Sequence, residues 1–416
     1  MRIITDRPRS AVRRLALARL ISITGGAAAF AALNFTIYER THSAAWLSAS
    51  LLLTFGASGL FAPLGGILGD RFDRRKVMIA SDLAGAVAFG AMAFVEEPAL
   101  LLAIGFVTAV VETPFWSASQ AAIPNLVGKD DLAWANGLVQ VGANAGIMLG
   151  PAVGGVLLAV MGPGMVFGLN AVSFVLSALV VATIRGRFSE DRTEHEDEHR
   201  GLKAGFVFIA NDRILRILVL AWTVFVFGIG MVMVADVPLV EEFGAGATGY
   251  GLLIGFWGAG SVLGSLAGRK LNERIEPKAL FVGTAVIGVT TAGVALSPWF
   301  VPALVLILLA GAADAIVMVA DRSIQQRRTP DVVRSRVVSA SESMITIALA
   351  AGFVLGGPAL ELLGPRGVYA AGGAFAFVGA VVLLPILRAS RRADVAEPVV
   401  DEVVDAGELV AAGVTR

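Results

Sequence analysis

Three carboxylic acids stand inside long apolar runs of this chain: Glu112, Asp314 and Asp236. An ionised carboxylate is costly in hydrocarbon, so each must face a water-filled cavity, meet a cation or hold a proton. Exchange among those states is a way to carry a proton. Glu112 lies about 13 residues from the end of its apolar run, roughly 20 Å at the helical rise, close to the centre of a bilayer. Asp314 has a like depth, whereas Asp236, just before Pro238, is nearer a surface. Pro114 frees backbone groups beside Glu112. The alternative role for each acid is a structural anchor satisfied by Ser, Thr or backbone groups. No Lys or Arg is read at mid-membrane depth, which favours protons or cationic, protonatable substrates over anions.

Other chemistry is weakly represented. His195-Glu-Asp-Glu-His199 matches the H-E-x-x-H zinc pattern, but it lies in a charged run with no apolar face to build a dry site and no third ligand, so no metal is expected. The chain has no cysteine, which removes thiolate nucleophiles, disulfides and Cys-ligated metals. No phosphate-binding loop or Ser/His/Asp constellation is present. ATP-driven pumping and enzymatic catalysis are therefore not expected, and no cofactor is needed beyond a proton gradient.

The elements that must position these acids are apolar helices. Hydrophobic residues make up 56% of the 416 and charged residues 16%, with a mean hydropathy of +0.77, a balance suited to lipid. Spans are expected near 15–38, 45–69, 76–95, 99–125, 131–161, 164–185, 214–240, 249–271, 278–297, 301–326, 335–363 and 367–388. The first is too long for a signal-peptide core and is read as an uncleaved helix. All 33 Lys and Arg except Arg40 and Arg366 fall on one side of that arrangement. The positive-inside rule then places both termini in the cytoplasm and the chain in the cell's cytoplasmic membrane. Zero net charge offers no pull toward nucleic acid, and a monomer is expected.

The chain repeats itself. Gly65–Arg71 (GGILGDR) resembles Gly264–Lys270 (GSLAGRK) at an offset of 199; Glu112 matches Asp314 at 202; Gly150-Pro151 matches Gly357-Pro358 at 207. A nearly constant offset is the mark of a duplicated unit. The fold class expected is an all-α polytopic membrane protein, twelve spans in two pseudo-symmetric six-helix bundles at 1–185 and 214–390. A cytoplasmic linker occupies 186–213, in which 201–211 is read as an interfacial helix bracing both bundles, and a disordered tail occupies 391–416. Two such bundles place a cavity between them, opened alternately by rocking, which points to transport.

Gly66-Ile-Leu-Gly-Asp70-Arg71-Phe-Asp73-Arg74-Arg75-Lys76 resembles the loop two-three signature of the major facilitator superfamily, G-x-L-a-D-R-x-G-R-K, departing at Gly69 and Asp73. Gly146-Ile-Met-Leu-Gly150-Pro151-Ala-Val-Gly154-Gly155 is similar to the helix-five motif of its drug/proton antiporters, G-x-x-x-G-P-x-x-G-G. The wider pattern looks most like the macrolide-efflux and siderophore-exporter branch. The resemblance implies a cytoplasmic gate formed by Gly66, Asp70, Arg71, Arg74 and Arg75, with Arg336 and Glu342 as partners, and implies export. The antiporters' helix-four arginine is missing, since 99–125 contains no Arg or Lys.

On the residues alone, Asp70 beside its bases could equally belong to a solvated turn. Glycines 146, 150 and 154 form a small-residue stripe that admits a neighbouring helix, expected to be helix eight with Gly258, Gly260 and Gly264. Pro151 kinks helix five. Cavity walls are expected from Phe30, Asn34, Phe115, Trp116, Gln140, Asn144, Trp222, Phe225, Trp257 and Met318, generic surfaces for bulky amphiphiles. The function these features imply is export of a small amphiphilic or cationic molecule by proton antiport with alternating access. The alternatives are a uniporter or proton symporter importing a small nutrient, and a transporter-like scaffold.

Overall fold

The computed structural model describes the backbone of residues 8–127, 131–184, 188 and 202–412, and their side chains except 8, 58, 59, 62–66, 69, 70, 133, 202–204, 331–335 and 389–412. The described elements are all helices: α1 (Pro8–Thr41), α2 (Ala44–Arg71), α3 (Arg74–Met92), α4 (Pro98–Leu126), α5 (Leu132–Met161), α6 (Pro163–Thr183), α7 (Leu202–Asn211), α8 (Arg213–Glu242), α9 (Gly246–Gly268), α10 (Glu276–Leu296), α11 (Phe300–Arg328) and α12 (Asp331–Ala412). Nine segments among the described residues are long and apolar enough to cross a bilayer; one of them, Arg336–Arg388, has 53 residues, roughly 80 Å of helix, enough for two crossings. Gly364, at φ 69°, breaks it into those two arms. Adding α2 and α3, which are shorter in described apolar length or less hydropathic, gives the twelve crossings expected. The backbone of α12 runs as helix to Ala412, through the stretch that composition suggests is a disordered tail.

Local chemistry sets the helix ends. Pro98 and Pro163 open α4 and α6 and a proline sits in the first turn of α10, where a missing N–H costs nothing. Asp73, at the position where the superfamily signature has glycine, caps α3 by accepting from the Lys76 amide at 3.1 Å. Asp212 caps α8 through the amides of Ile214 and Leu215 at 2.8 and 2.9 Å. At the C-terminal ends, Arg74 donates to the Ala121 carbonyl at 2.6 Å and Arg75 to the Ala182 carbonyl, charge matched to the negative end of each helix dipole.

Packing divides the molecule along its length. One core is shared by both halves of the chain, joining Leu33, Leu47, Leu101 and Phe167 to Val234, Tyr250, Leu304 and Phe353. Two further cores are private: Leu15, Met78, Phe115, Ala122 and Val181 in the first half, and Leu218, Leu280, Val317, Val337 and Ile386 in the second. The private cores lie toward the end where α1 begins, the shared core toward the other. Among the described residues, the core that joins the halves thus lies at one end, and each half keeps its own core at the end that carries the N-terminus.

Two seams make the fusion. In the first, α5 lies on α9: Gly155 admits the backbone of Ala247 and Gly251, and Gly251 admits the Pro151 carbonyl. In the second, α2 lies on α12, with Gly357 against Ser48 and the Phe55 and Phe353 rings 5.6 Å apart. Helix α7 packs on α12 and α8, its Gly205 against the Arg336 carbonyl. Among the described residues it braces the second half, where Ile209 joins the second private core, and not both halves as expected.

Candidate functional site

The acid on α4 sits where α3 and α4 are tied together. Ser81 of α3 donates to the Val111 carbonyl of α4, which sets the next residue on each helix, Asp82 and Glu112, beside one another. Asp82 is fully buried (0% exposed), and among the described residues neither carboxylate oxygen meets a donor in good hydrogen-bond geometry. Glu112 is half-buried and within electrostatic reach of Asp82. Ser177 of α6, also fully buried with an unpartnered hydroxyl, faces Asp82.

In the second half Asp314 occupies the corresponding place on α11 and is 9% exposed. Two turns along the same helix, Asp321 is buried, accepts from Gln325 at 2.7 Å through one oxygen, and leaves the other unpartnered. Among the described residues no cation pairs with Asp82, Glu112 or Asp314. Asp236 differs in kind: Tyr369, completely buried, donates its hydroxyl to Asp236 Oδ1 at 2.6 Å, inside the fused end. That is an interhelical anchor between α8 and the second arm of α12.

One cation lies deeper than the sequence reading allowed. Arg19, counted there among the terminal bases, is 1% exposed in α1, both terminal guanidinium nitrogens lack a hydrogen-bond acceptor, and its charge stacks 4.2 Å over the Trp116 ring. Trp116 is one turn from Glu112 on α4. Position within the first helix hid Arg19, since a base about three turns from a terminus reads as a loop residue. Asp82 and Asp321 were missed for a similar reason: each lies near enough to a helix end to pass for an interfacial charge. The signal that could have found them is any charge inside an apolar span.

The glycine stripe of α5 meets a different neighbour from the one expected. Gly146, Gly150 and Gly154 face Ile23, Thr24 and Ala28 of α1, while Gly155, one residue and about 100° further round, faces α9. Gly258 does meet α5, at Met148, but Gly260 and Gly264 pack on Leu308 and Ala312 of α11. Of the gate motif, the side chains of Gly66 and Asp70 lie outside the described residues; Arg74 and Arg75 hold carbonyls of their own half, and Arg71 lies exposed beside Phe72. Arg336 and Glu342 are exposed.

The wall residues scatter. Asn34, Phe115 and Phe225 are buried in helix packing. Phe30 packs edge-on to Phe55, and Trp222 on Phe225. Trp116, Gln140, Trp257 and Met318 are exposed, Gln140 donating to Asn144 at 2.9 Å. Two apolar grooves, of about 400 Å³ between α8 and α12 and about 600 Å³ between α3 and α4, contain none of these ten.

Two helix bundles joined through α5–α9 and α2–α12, each carrying carboxylic acids inside its apolar helices, have the build of a polytopic transporter. Residues 12–407 match the family model described as transmembrane secretion effector, so the chain belongs to that family of major facilitator transporters and is a multi-pass membrane protein that moves a small molecule. It is 26% identical over 392 residues, 92% of this chain and 93% of the relative, to the enterobactin exporter EntS of Escherichia coli O6:K15:H31 (strain 536 / UPEC). It is equally similar, with the same coverage, to EntS of Shigella boydii serotype 18 (strain CDC 3083-94 / BS512). Among solved structures, the nucleoside transporter NupG superposes with a TM-score of 0.75 at 12% identity, covering 91% of this chain and 99% of that one. A bacterial homologue of the iron transporter ferroportin in an inward-facing state gives 0.70 at 19%, covering 91% and 99%. At those identities the likeness establishes the major facilitator fold.

Proposed function

We propose that the protein is a secondary exporter of small amphiphilic molecules in the cytoplasmic membrane, driven by proton antiport, with Glu112 as the coupling acid. The observation that carries this reading is Glu112 itself: a half-buried carboxyl in the middle of α4, with no cation among the described residues paired to it, in a molecule whose described shared core lies at one end. With the basic loops in the cytoplasm, the separated end faces inward, and this conformation is the one that would load substrate from the cell. Closing that end and parting the α5–α9 and α2–α12 seams would release it outside.

Export, rather than uptake, is supported by the family's description and by the EntS relatives. Asp314 and Asp321 line the second half and are assigned a subsidiary role, while Asp236 is assigned to structure. The gate motif and the Gly155 seam are the elements proposed to change partners between states. The test is flux in liposomes under an imposed pH gradient, with a panel of lipophilic cations, macrolides and siderophores, for the wild type and Glu112→Gln. Gradient-driven flux that Glu112→Gln loses while still binding the compound supports the reading. Normal flux in the variant removes Glu112 from coupling, and flux only down the compound's own gradient replaces the antiporter with a uniporter.

A further inference from the structure

The two halves of the repeat run in one register where α3 meets α4 and α10 meets α11, and there their polar residues differ. Helix α3 starts at Arg74 and α10 at Glu276, while α4 starts at Pro98 and α11 at Phe300, each pair 202 residues apart. The same contact recurs at that offset: Ser81 reaches the Val111 carbonyl, and Gly283 lies against the Ala313 carbonyl. Glu112 therefore corresponds to Asp314. By the same register Asp82 corresponds to Thr284, whose hydroxyl is satisfied by the Leu280 carbonyl at 2.8 Å. The second half has one acid at this level. The first has two, and the additional one is sealed from solvent with both oxygens unpartnered and the unpartnered Ser177 hydroxyl turned toward it.

We propose that Asp82 and Glu112 together form one site for the exchanged proton, with Glu112, the more exposed acid, as its outlet and Asp82 as its buried half. This rests on the proton-antiport reading above. Carboxylates brought together away from water repel, and a proton shared between them removes that repulsion. Only O–H bonds are made and broken: a proton taken by Glu112 from water on one side is released by Glu112 to water on the other. Asp82 is a positioning residue, since it is sealed from solvent while Glu112 is not. Around the pair, α4 contributes Glu112 and α6 contributes Ser177. The nearest base, Arg19 of α1, sits against Trp116, and the described residues of α2 and α5 at this level add no charge.

The pair is tested without any transported compound, by infrared titration of the purified full-length protein, reading the stretch of protonated carboxyl groups. Wild type, Asp82→Asn, Glu112→Gln and the double variant are compared. The shared site is expected to move the midpoint of the surviving acid by more than about one pH unit in each single variant and to abolish both bands in the double. Unmoved midpoints overturn the proposal. Should Asp82→Asn not survive purification, Asp82→Thr, which copies Thr284, takes its place. In liposomes Asp82→Asn or Asp82→Thr is expected to uncouple flux of the lipophilic cation ethidium from the pH gradient while leaving exchange of ethidium across the membrane intact. If Glu112→Gln uncouples and Asp82→Asn does not, the pair fails and the antiport reading stands; if wild type shows no gradient-driven flux of any panel compound, the antiport reading fails whatever the infrared bands do.

Discussion

The two halves of this transporter share one scaffold and load it with different chemistry. In the first, the α3–α4 contact buries Asp82 beside Glu112, and Arg19 lies a turn away against Trp116. In the second, Thr284 stands at the position equivalent to Asp82 with its hydroxyl bonded to the Leu280 carbonyl, Asp314 stands at that of Glu112, and Asp321 two turns along is bonded to Gln325. A duplicated helix pair keeps its packing because packing depends on small residues and backbone approach, which tolerate few changes. Its polar positions are free to diverge, and divergence is what allows one half to specialise. The comparison predicts that proton coupling resides in the first half and that the second contributes mainly to shape.

The sharpest break of that comparison is to neutralise the two equivalent acids. Glu112→Gln is expected to abolish gradient-driven flux, whereas Asp314→Asn reduces it by less than about tenfold, ~1.4 kcal/mol in barrier. Equal losses in liposome flux would end the claim of asymmetry. A second contrast concerns glycines that join the halves against glycines inside one half. Gly155→Leu wedges α5 from α9 and is expected to shift the population toward opening of the fused end. Gly264→Leu strains α9 against α11 and costs about 1–3 kcal/mol of stability without that shift. Because the chain has no cysteine, a single Gln140→Cys reporter, labelled from either side of the membrane, distinguishes the two.

Smaller effects sharpen the roles of the remaining polar groups. Tyr369→Phe removes the hydroxyl that donates to Asp236 and is expected to cost about 1–3 kcal/mol in thermal unfolding, with proton coupling unchanged. If it alters coupling instead, Asp236 belongs with the functional acids. Trp116→Leu takes the aromatic face from Arg19, a loss of about 1 kcal/mol, read as a modest fall in melting temperature.

How much of this was legible beforehand depends on the kind of residue. Glu112 and Asp314 stood out because a carboxylate in the middle of an apolar run has no inexpensive explanation, and the 202-residue offset paired them. Asp82, Asp321 and Arg19 are charged too and more deeply buried, yet each lies within a few turns of a helix end, where depth cannot be judged from hydropathy. The α5 stripe was recognised as a packing surface, but its partner was misassigned to α9. One residue of rotation separates the face on α1 from the face on α9. Asp73, which looked like a flaw in the gate signature, is explained by its cap on α3.

By itself the sequence determined that this chain lives in a membrane, crosses it about twelve times, is built from a repeated half, and presents its basic residues to one side. Those properties act segment by segment: each stretch either suits hydrocarbon or does not, and each loop either carries bases or does not, independently of the others. Only the tertiary structure decided which end of the molecule is fused, which glycines face the other half, and which acids are neighbours. Those depend on the rotation of each helix about its own axis and on the seams between bundles. A turn of about 100° per residue exchanges one neighbour for another without altering the hydropathy of the segment at all.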